Sequence, residues 1–296
     1  MYKSLNPGLV GIETQGFEQT LALAKRHGFG AIGYSPEAIE SEGIDTFRAL
    51  DLMGRYGVII SDFGLPVQIR NKEVFNESFP KLEKAAKAAA KLGIRRCCTW
   101  MMSSSQVYEY AENFRFHTKM LRLIAETLGE YDIHFGVEFL GPKDARIAFQ
   151  YPFIHTLDKM LELCDAVGTD NIGVMLDAHH CYCSGLRGAE FAKYIRSEKD
   201  IVLVHLNDDA PGVPLDEIND SPRYYPGEPG GGGNDLHSFM KALQDLDYTG
   251  PVVAEPNSEG LKGLENDEIA KIIFESTSSV WPNQILLKEG KDIYEH

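Results

Sequence analysis

Four polar side chains stand at the ends of apolar runs in this sequence, and together they could hold a metal ion. His134-Phe135-Gly136-Val137 ends in Glu138, and Ile172-Gly173-Val174-Met175-Leu176 ends in Asp177. Ile201-Val202-Leu203-Val204 ends in His205, and Pro251-Val252-Val253-Ala254 ends in Glu255. Short apolar runs of this kind read as strands buried on both faces, as in a parallel sheet. Carboxylates brought together repel, by about 4 kcal/mol for two charges 4 Å apart at an effective dielectric of 20. A raised pKa, a basic partner or a cation can each offset that, and a divalent cation does so most completely. Three oxygen donors with one imidazole make a hard site, which favours Mn²⁺ or Mg²⁺, admits Co²⁺ and suits Zn²⁺ less. The competing expectation is that each acid only caps the helix after it.

Such residues converge only if the strands carrying them are neighbours. Strand and helix patterns alternate along the chain. Tyr2 to Asn6, Ala31 to Tyr34, Val58 to Phe63 and Arg95 to Trp100 supply four strands before the four named above. Between them the spacing predicts helices over Phe17 to His27, Ile44 to Tyr56 (with Phe47, Leu50, Leu52 and Met53 inside), Glu73 to Leu92 and Val107 to Leu128. Further helices are predicted over Phe153 to Val167, Gly188 to Ser197, from a cap at Asn234 or Asp235 to Leu246, and over Asp267 to Ser279. Eight strand–helix units in one chain predict a single closed (β/α)₈ barrel spanning residues 1–296. An open doubly wound sheet would want a glycine fingerprint after its first strand, and Asn6-Pro7-Gly8-Leu9-Val10-Gly11 is not one. In a barrel the strand C-termini share one mouth.

The segment 208–233 breaks the rhythm. Rich in proline and ending in four glycines, it reads as a long loop over that mouth. Arg223 within it could pin a substrate oxygen or carboxylate. Lys143 and Arg146, just after Glu138, could bind an acidic or oxygen-rich group. Trp100 closes the fourth strand and could give a ligand ring an apolar wall, or simply pack in the core. Cys181-Tyr182-Cys183 beside His179 and His180 has zinc-ligand residue types, but no second pair completes a set.

Composition sets outer limits. The chain has 296 residues, 43% hydrophobic and 25% charged, which is the make-up of a globular protein. A net charge of −15 argues against nucleic acid and against anionic membrane surfaces. The five cysteines are odd in number and fit no secreted framework, so a reducing, cytoplasmic setting is expected. No stretch approaches the roughly 20 apolar residues of a membrane span. A homo-oligomer is possible, with residues 281–296 as a candidate contact arm.

Glu138, Asp177-x-x-His180, His205-x-x-Asp208, and Glu255 after Tyr248-Thr249-Gly250-Pro251 together resemble the xylose-isomerase-like superfamily. That superfamily holds ketose 3-epimerases, hydroxypyruvate isomerase, inosose dehydratase and endonuclease IV. The stretches Glu138 to Lys143 and Asp208 to Gly233 look like its sugar phosphate isomerase/epimerase branch. The resemblance implies a metal bound by Glu138, Asp177, His205 and Glu255, with His180 touching the substrate. Asp208 is then expected to orient His205 or its surroundings. The implied chemistry is proton loss next to a carbonyl, with a metal stabilising the enediolate. Epimerisation needs a base on each face of the carbon, and Glu138 and Glu255 are the candidates. The small-molecule substrate is a sugar or keto-sugar. With a leaving group on the β-carbon the same site would eliminate, as a dehydratase or lyase. A nuclease would need many more histidine ligands and a basic groove.

Overall fold

The computed structural model describes residues 1–13 and 16–282. Eight parallel strands close into a barrel: β1 (Tyr2–Leu5), β2 (Ala31–Gly33), β3 (Ile59–Gly64), β4 (Arg96–Met101), β5 (His134–Phe139), β6 (Ile172–Asp177), β7 (Ile201–Leu206) and β8 (Pro251–Ala254). Closure comes from β1, which pairs with β2 on one side and β8 on the other. Every strand predicted from the sequence is present, within a residue or two at each end. The candidate contact arm lies outside the described residues from 283 onward. Among the described residues no helix is long and apolar enough to cross a membrane.

The strands are mostly buried because helices cover the barrel outside while side chains fill it inside. β7 is buried at every residue. The register pairs Trp100 with Glu138 and Asp177 with His205, so adjacent strands bring their polar ends to one level. Gly136, two residues before Glu138, lies so close to Cys98 Sγ and Val202 that a Cβ there would have no room. That contact is inside the barrel, so the period-two alternation of β5 also directs Glu138 inward.

Three helix expectations need correcting. Glu73 to Leu92 is not one helix. It splits into Lys72–Ser78 and Lys81–Lys91 at Phe79-Pro80, because a proline in a helix interior lacks the N–H donor and clashes with the preceding turn. The helix Thr46–Tyr56 buries Ala49 and Leu52, while Phe47 and Leu50 are 83% and 44% exposed. Their apolar spacing fits a face that points away from the barrel. Finally, Gly188–Tyr194 is a 3₁₀ turn, shorter than expected.

The helix Tyr110–Gly129 buries Asn113, His117, Leu121, Ile124 and Leu128 on one stripe. His117 there packs against the Phe153 ring at 5.2 Å and hydrogen-bonds the Asn113 carbonyl through Nδ1. Burial holds its pKa down at about 4. An unfolded chain takes up this proton near pH 6.5, but the fold resists it until about 4. Stability is therefore complete above pH 6.5 and falls as pH drops toward 4, by up to about 3 kcal/mol. His117→Gln should flatten that part of the pH profile. Urea midpoints of both proteins at pH 7 and 4.5 test this, and parallel losses would rule His117 out as the cause.

Candidate metal centre

Ligand atoms of Glu138, Asp177, His205 and Glu255 all lie within 4.8 Å of one another. Glu138 and His205 sit on strands, Asp177 closes β6, and Glu255 directly follows β8. His205 Nδ1 is 2.8 Å from Glu255 Oε2, 3.2 Å from Glu138 Oε1 and 3.9 Å from Asp177 Oδ2. Neither of the two shorter contacts has hydrogen-bond geometry, and both Glu138 Oε1 and His205 Nδ1 are buried without a hydrogen-bond partner. Donor atoms that converge without bonding to one another are arranged as a coordination sphere requires. The donor set therefore fits a divalent cation.

The helix-capping expectation is also partly met. Asp177 Oδ1 accepts from the His180 N–H and caps Ala178–Cys183, a helical turn not foreseen in the sequence. Its Oδ2 faces the cluster. There it accepts from Asn207 Nδ2 at 2.8 Å and lies 3.3 Å from Arg223 Nη1. One carboxylate thus does both jobs with different oxygens.

Two of the three ways of offsetting the carboxylate repulsion are visible. Burial, against the pull of His205, pushes Glu138 up to about 8. Burial would raise Glu255 too, but His205 and Arg223 beside it hold it down at about 2. Burial opposes a charge on His205, yet Glu255 and Glu138 outweigh it and raise the imidazole well above its usual value. Arg223, 7% exposed, is the basic partner. Its guanidinium sits 2.9 Å from Glu255 Oε2 and 2.8 Å from Asp220 Oδ1. The loop 208–233 thus sends its arginine down into the site from outside.

Other candidate residues fall in different places. His180 is wholly buried. Its Nδ1 accepts from the Gly141 N–H at 3.4 Å, and Nε2 faces Arg223 Nη2 at 3.5 Å and Glu138 Oε2 at 3.8 Å. A Cβ at Gly141 would collide with the His180 carbonyl, so only glycine allows this approach. Lys143 is half exposed and pairs with Asp216 of the loop, away from the cluster. Trp100 is 44% exposed and lines the mouth, so it is not a core residue. Asp208 does not touch His205. Its carboxylate accepts from the backbone N–H groups of Asp209, Gly232 and Asn234, and its backbone pairs with Tyr224, which ties down both ends of the loop. Of the two possible caps, Asp235 caps the next helix, while Asn234 bonds Gly188 N and the Ala178 carbonyl.

The residue that does reach the ligands is Asn207, which the sequence reading passed over. Fully buried, it links the His179 N–H, Asp177 Oδ2 and the Glu255 carbonyl. His179 pairs with Asp209 at 2.7 Å. Cys183 Sγ lies 3.7 and 3.8 Å from the two nitrogens of the His179 ring. A sulfur equidistant from both nitrogens lies over the ring face and cannot share an ion with either lone pair. The group formed by His179, Cys183 and Asp209 is therefore a buried imidazole–carboxyl hydrogen bond beside a thiol.

Glu138, His205 and Glu255 open into a cavity of about 720 Å³ at the barrel mouth. The fold is thus a closed parallel barrel with an acidic, imidazole-bearing mouth. The family model for the xylose isomerase-like TIM barrel matches residues 21–276, and the chain belongs to that family. It is similar to an inosose isomerase of Bacillus velezensis, at 21% identity over 91% of this chain and 93% of that protein. A probable ketose 3-epimerase of Synechocystis is 26% identical over 82% of this chain and 79% of its own length. Among solved structures, an IolI protein with a bound zinc atom superposes with a TM-score of 0.79 at 18% identity, covering 95% of this chain and 98% of that one.

Proposed function

We propose that the chain is a divalent-metal-dependent isomerase or epimerase of keto-sugars, working by proton abstraction next to a carbonyl. The observation that carries this reading is the convergence of four ligand atoms within 4.8 Å, with three of their residues opening into the cavity. The names of the inosose isomerase and ketose 3-epimerase relatives support the same substrate class. Glu138, Asp177, His205 and Glu255 would hold the ion. When bound, it supplies Lewis acidity that stabilises negative charge on the substrate's oxygens.

The chain's own residues do the rest. Glu138 and Glu255 come from opposite ends of the β5–β8 arc and flank His205, so one can take a proton from one face of the carbon and the other return it to the opposite face. Asn207 fixes Asp177. Arg223 fixes Glu255 and keeps its carboxylate ionised. The buried, neutral His180 backs Glu138. Mn²⁺ is the ion the donor set favours, with Mg²⁺ or Co²⁺ as substitutes. The zinc atom bound by the IolI structure supports a divalent ion of some kind in a protein of this fold.

The test is NMR of ketoses, inososes and 3-keto-glycosides in D₂O with the Mn²⁺-loaded protein, quenched and freed of metal before recording. Solvent deuterium should enter one carbon next to the carbonyl. Deuterium with retention of all substituents fits the isomerase or epimerase. Loss of a β-substituent would make the protein a lyase, and no exchange in any of the panel would defeat the reading.

A further inference from the structure

The cavity is far larger than its reacting end requires. At about 720 Å³ it falls in the range that holds a drug-sized molecule, so a free monosaccharide would fill only part of it. Nor does the extra space lie under the long loop, since no residue of 208–233 lines it. It extends instead across the mouth, between the segments after β3 and β4. There Leu65, Val67, Ile69, Met102, Val107 and Phe149 supply most of the wall, with the polar Gln68, Asn71 and Gln106 set among them.

That wall is built firmly. A short ribbon pairs Ser104 and Ser105 with Tyr151 and Pro152. Ser104 Oγ donates to the Ala145 carbonyl and accepts from the Phe149 N–H. Val107 is 64% exposed, Phe149 44% and Trp100 44%, so this side of the cavity presents apolar surface that a bound ring can cover. A phosphate would find little to hold it, because among the described residues Arg70 is the sole Lys or Arg lining the cavity, and Asp62, Glu138 and Glu255 lie in the same walls.

We propose that this wing of the cavity is an aryl subsite, and that the substrate is a keto-sugar joined to an aromatic group, as in an aryl glycoside. This deepens the function proposed above by naming the substrate class. The ring would lie between Val107 and Phe149 with Trp100 at its edge, while the sugar sits at the metal ligands.

The experiment compares two unreactive probes, phenyl and methyl β-D-glucopyranoside, titrated into the Mn²⁺-loaded protein. Trp100 fluorescence follows binding, with a Trp100→Phe control to subtract Trp281. The phenyl glycoside should bind about tenfold tighter, as expected for burying one ring. Val107→Gln/Phe149→Ser changes only exposed positions and should keep its circular dichroism. In that variant the preference should shrink to about twofold. Equal binding of the two probes, or a preference that survives the double substitution, would overturn the subsite. So would a dimer abolished by the same substitutions without any phenyl preference, which would make the surface a contact with a second chain. The deuterium-exchange result is independent. A phenyl preference with no exchange in any ketose would keep the subsite and remove the isomerase.

Discussion

Glu255→Gln should leave a folded barrel that holds little divalent metal and turns over about a thousandfold more slowly. The substitution keeps the side chain's shape and removes one charge. That charge faces His205 at 2.8 Å and Arg223 at 2.9 Å. Losing it takes a donor from the proposed ion and a base from the proposed reaction, and losing a positioned base alone costs about a hundred- to ten-thousandfold. It also leaves His205 and Arg223 less compensated, so the metal-free variant should melt lower than the parent. Glu138→Gln makes the contrast. Burial already pushes Glu138 up to about 8, so without metal it carries a proton at neutral pH and resembles a glutamine. That variant should lose turnover to a similar degree while its metal-free melting temperature barely moves. Metal analysis, turnover and thermal melts in EDTA separate the two. Unchanged metal content and turnover in Glu255→Gln would remove Glu255 from the site.

The four clustered side chains were legible because a strand buried on both faces has no reason to end in a charge unless that end meets something polar. Glu138, Asp177, His205 and Glu255 each break such a run, and barrel closure then puts successive strand ends at one mouth. Their supports were not legible in the same way. Asn207 follows β7 and has no pattern that sets it apart from Asp208, yet Asn207 reaches Asp177 while Asp208 turns outward to hold backbone amides. One residue's difference in position decides which side chain faces the ligands, and periodicity alone does not carry that far past a strand end. Arg223 could be named as a residue that reaches the site, but its partners depend on how a loop without regular structure folds back. The apolar wing of the cavity was hidden for another reason. Val67, Ile69 and Met102 look like core residues in sequence, and only the folded loops show that they also line a cavity. Phe47 and Leu50 mislead in the opposite direction, as apolar residues at helical spacing that point outward.

Arg223→Met should weaken the metal-free protein and strengthen its hold on metal. In the parent, the guanidinium lies 3.3 Å from Asp177 Oδ2 and 2.9 Å from Glu255 Oε2, and both carboxylates belong to the proposed ligand set. Arginine and a divalent ion therefore compete for the same negative charge. Removing one partner from a buried charge cluster costs about 3–5 kcal/mol, so the variant should melt well below the parent in EDTA. An added cation then has more unbalanced charge to gain from, and Mn²⁺ should bind about tenfold tighter and restore most of the lost stability. Arg223→Lys keeps a charge but loses the Nε and Nη2 bonds to Asp220 that hold the guanidinium in place, and should fall between the two. Titration calorimetry with Mn²⁺, alongside melts with and without it, reads both effects. A variant that loses stability and also binds Mn²⁺ more weakly would mean that Arg223 builds the ligand geometry and does not compete for it. The positive charge of the loop would then be part of the metal site's frame.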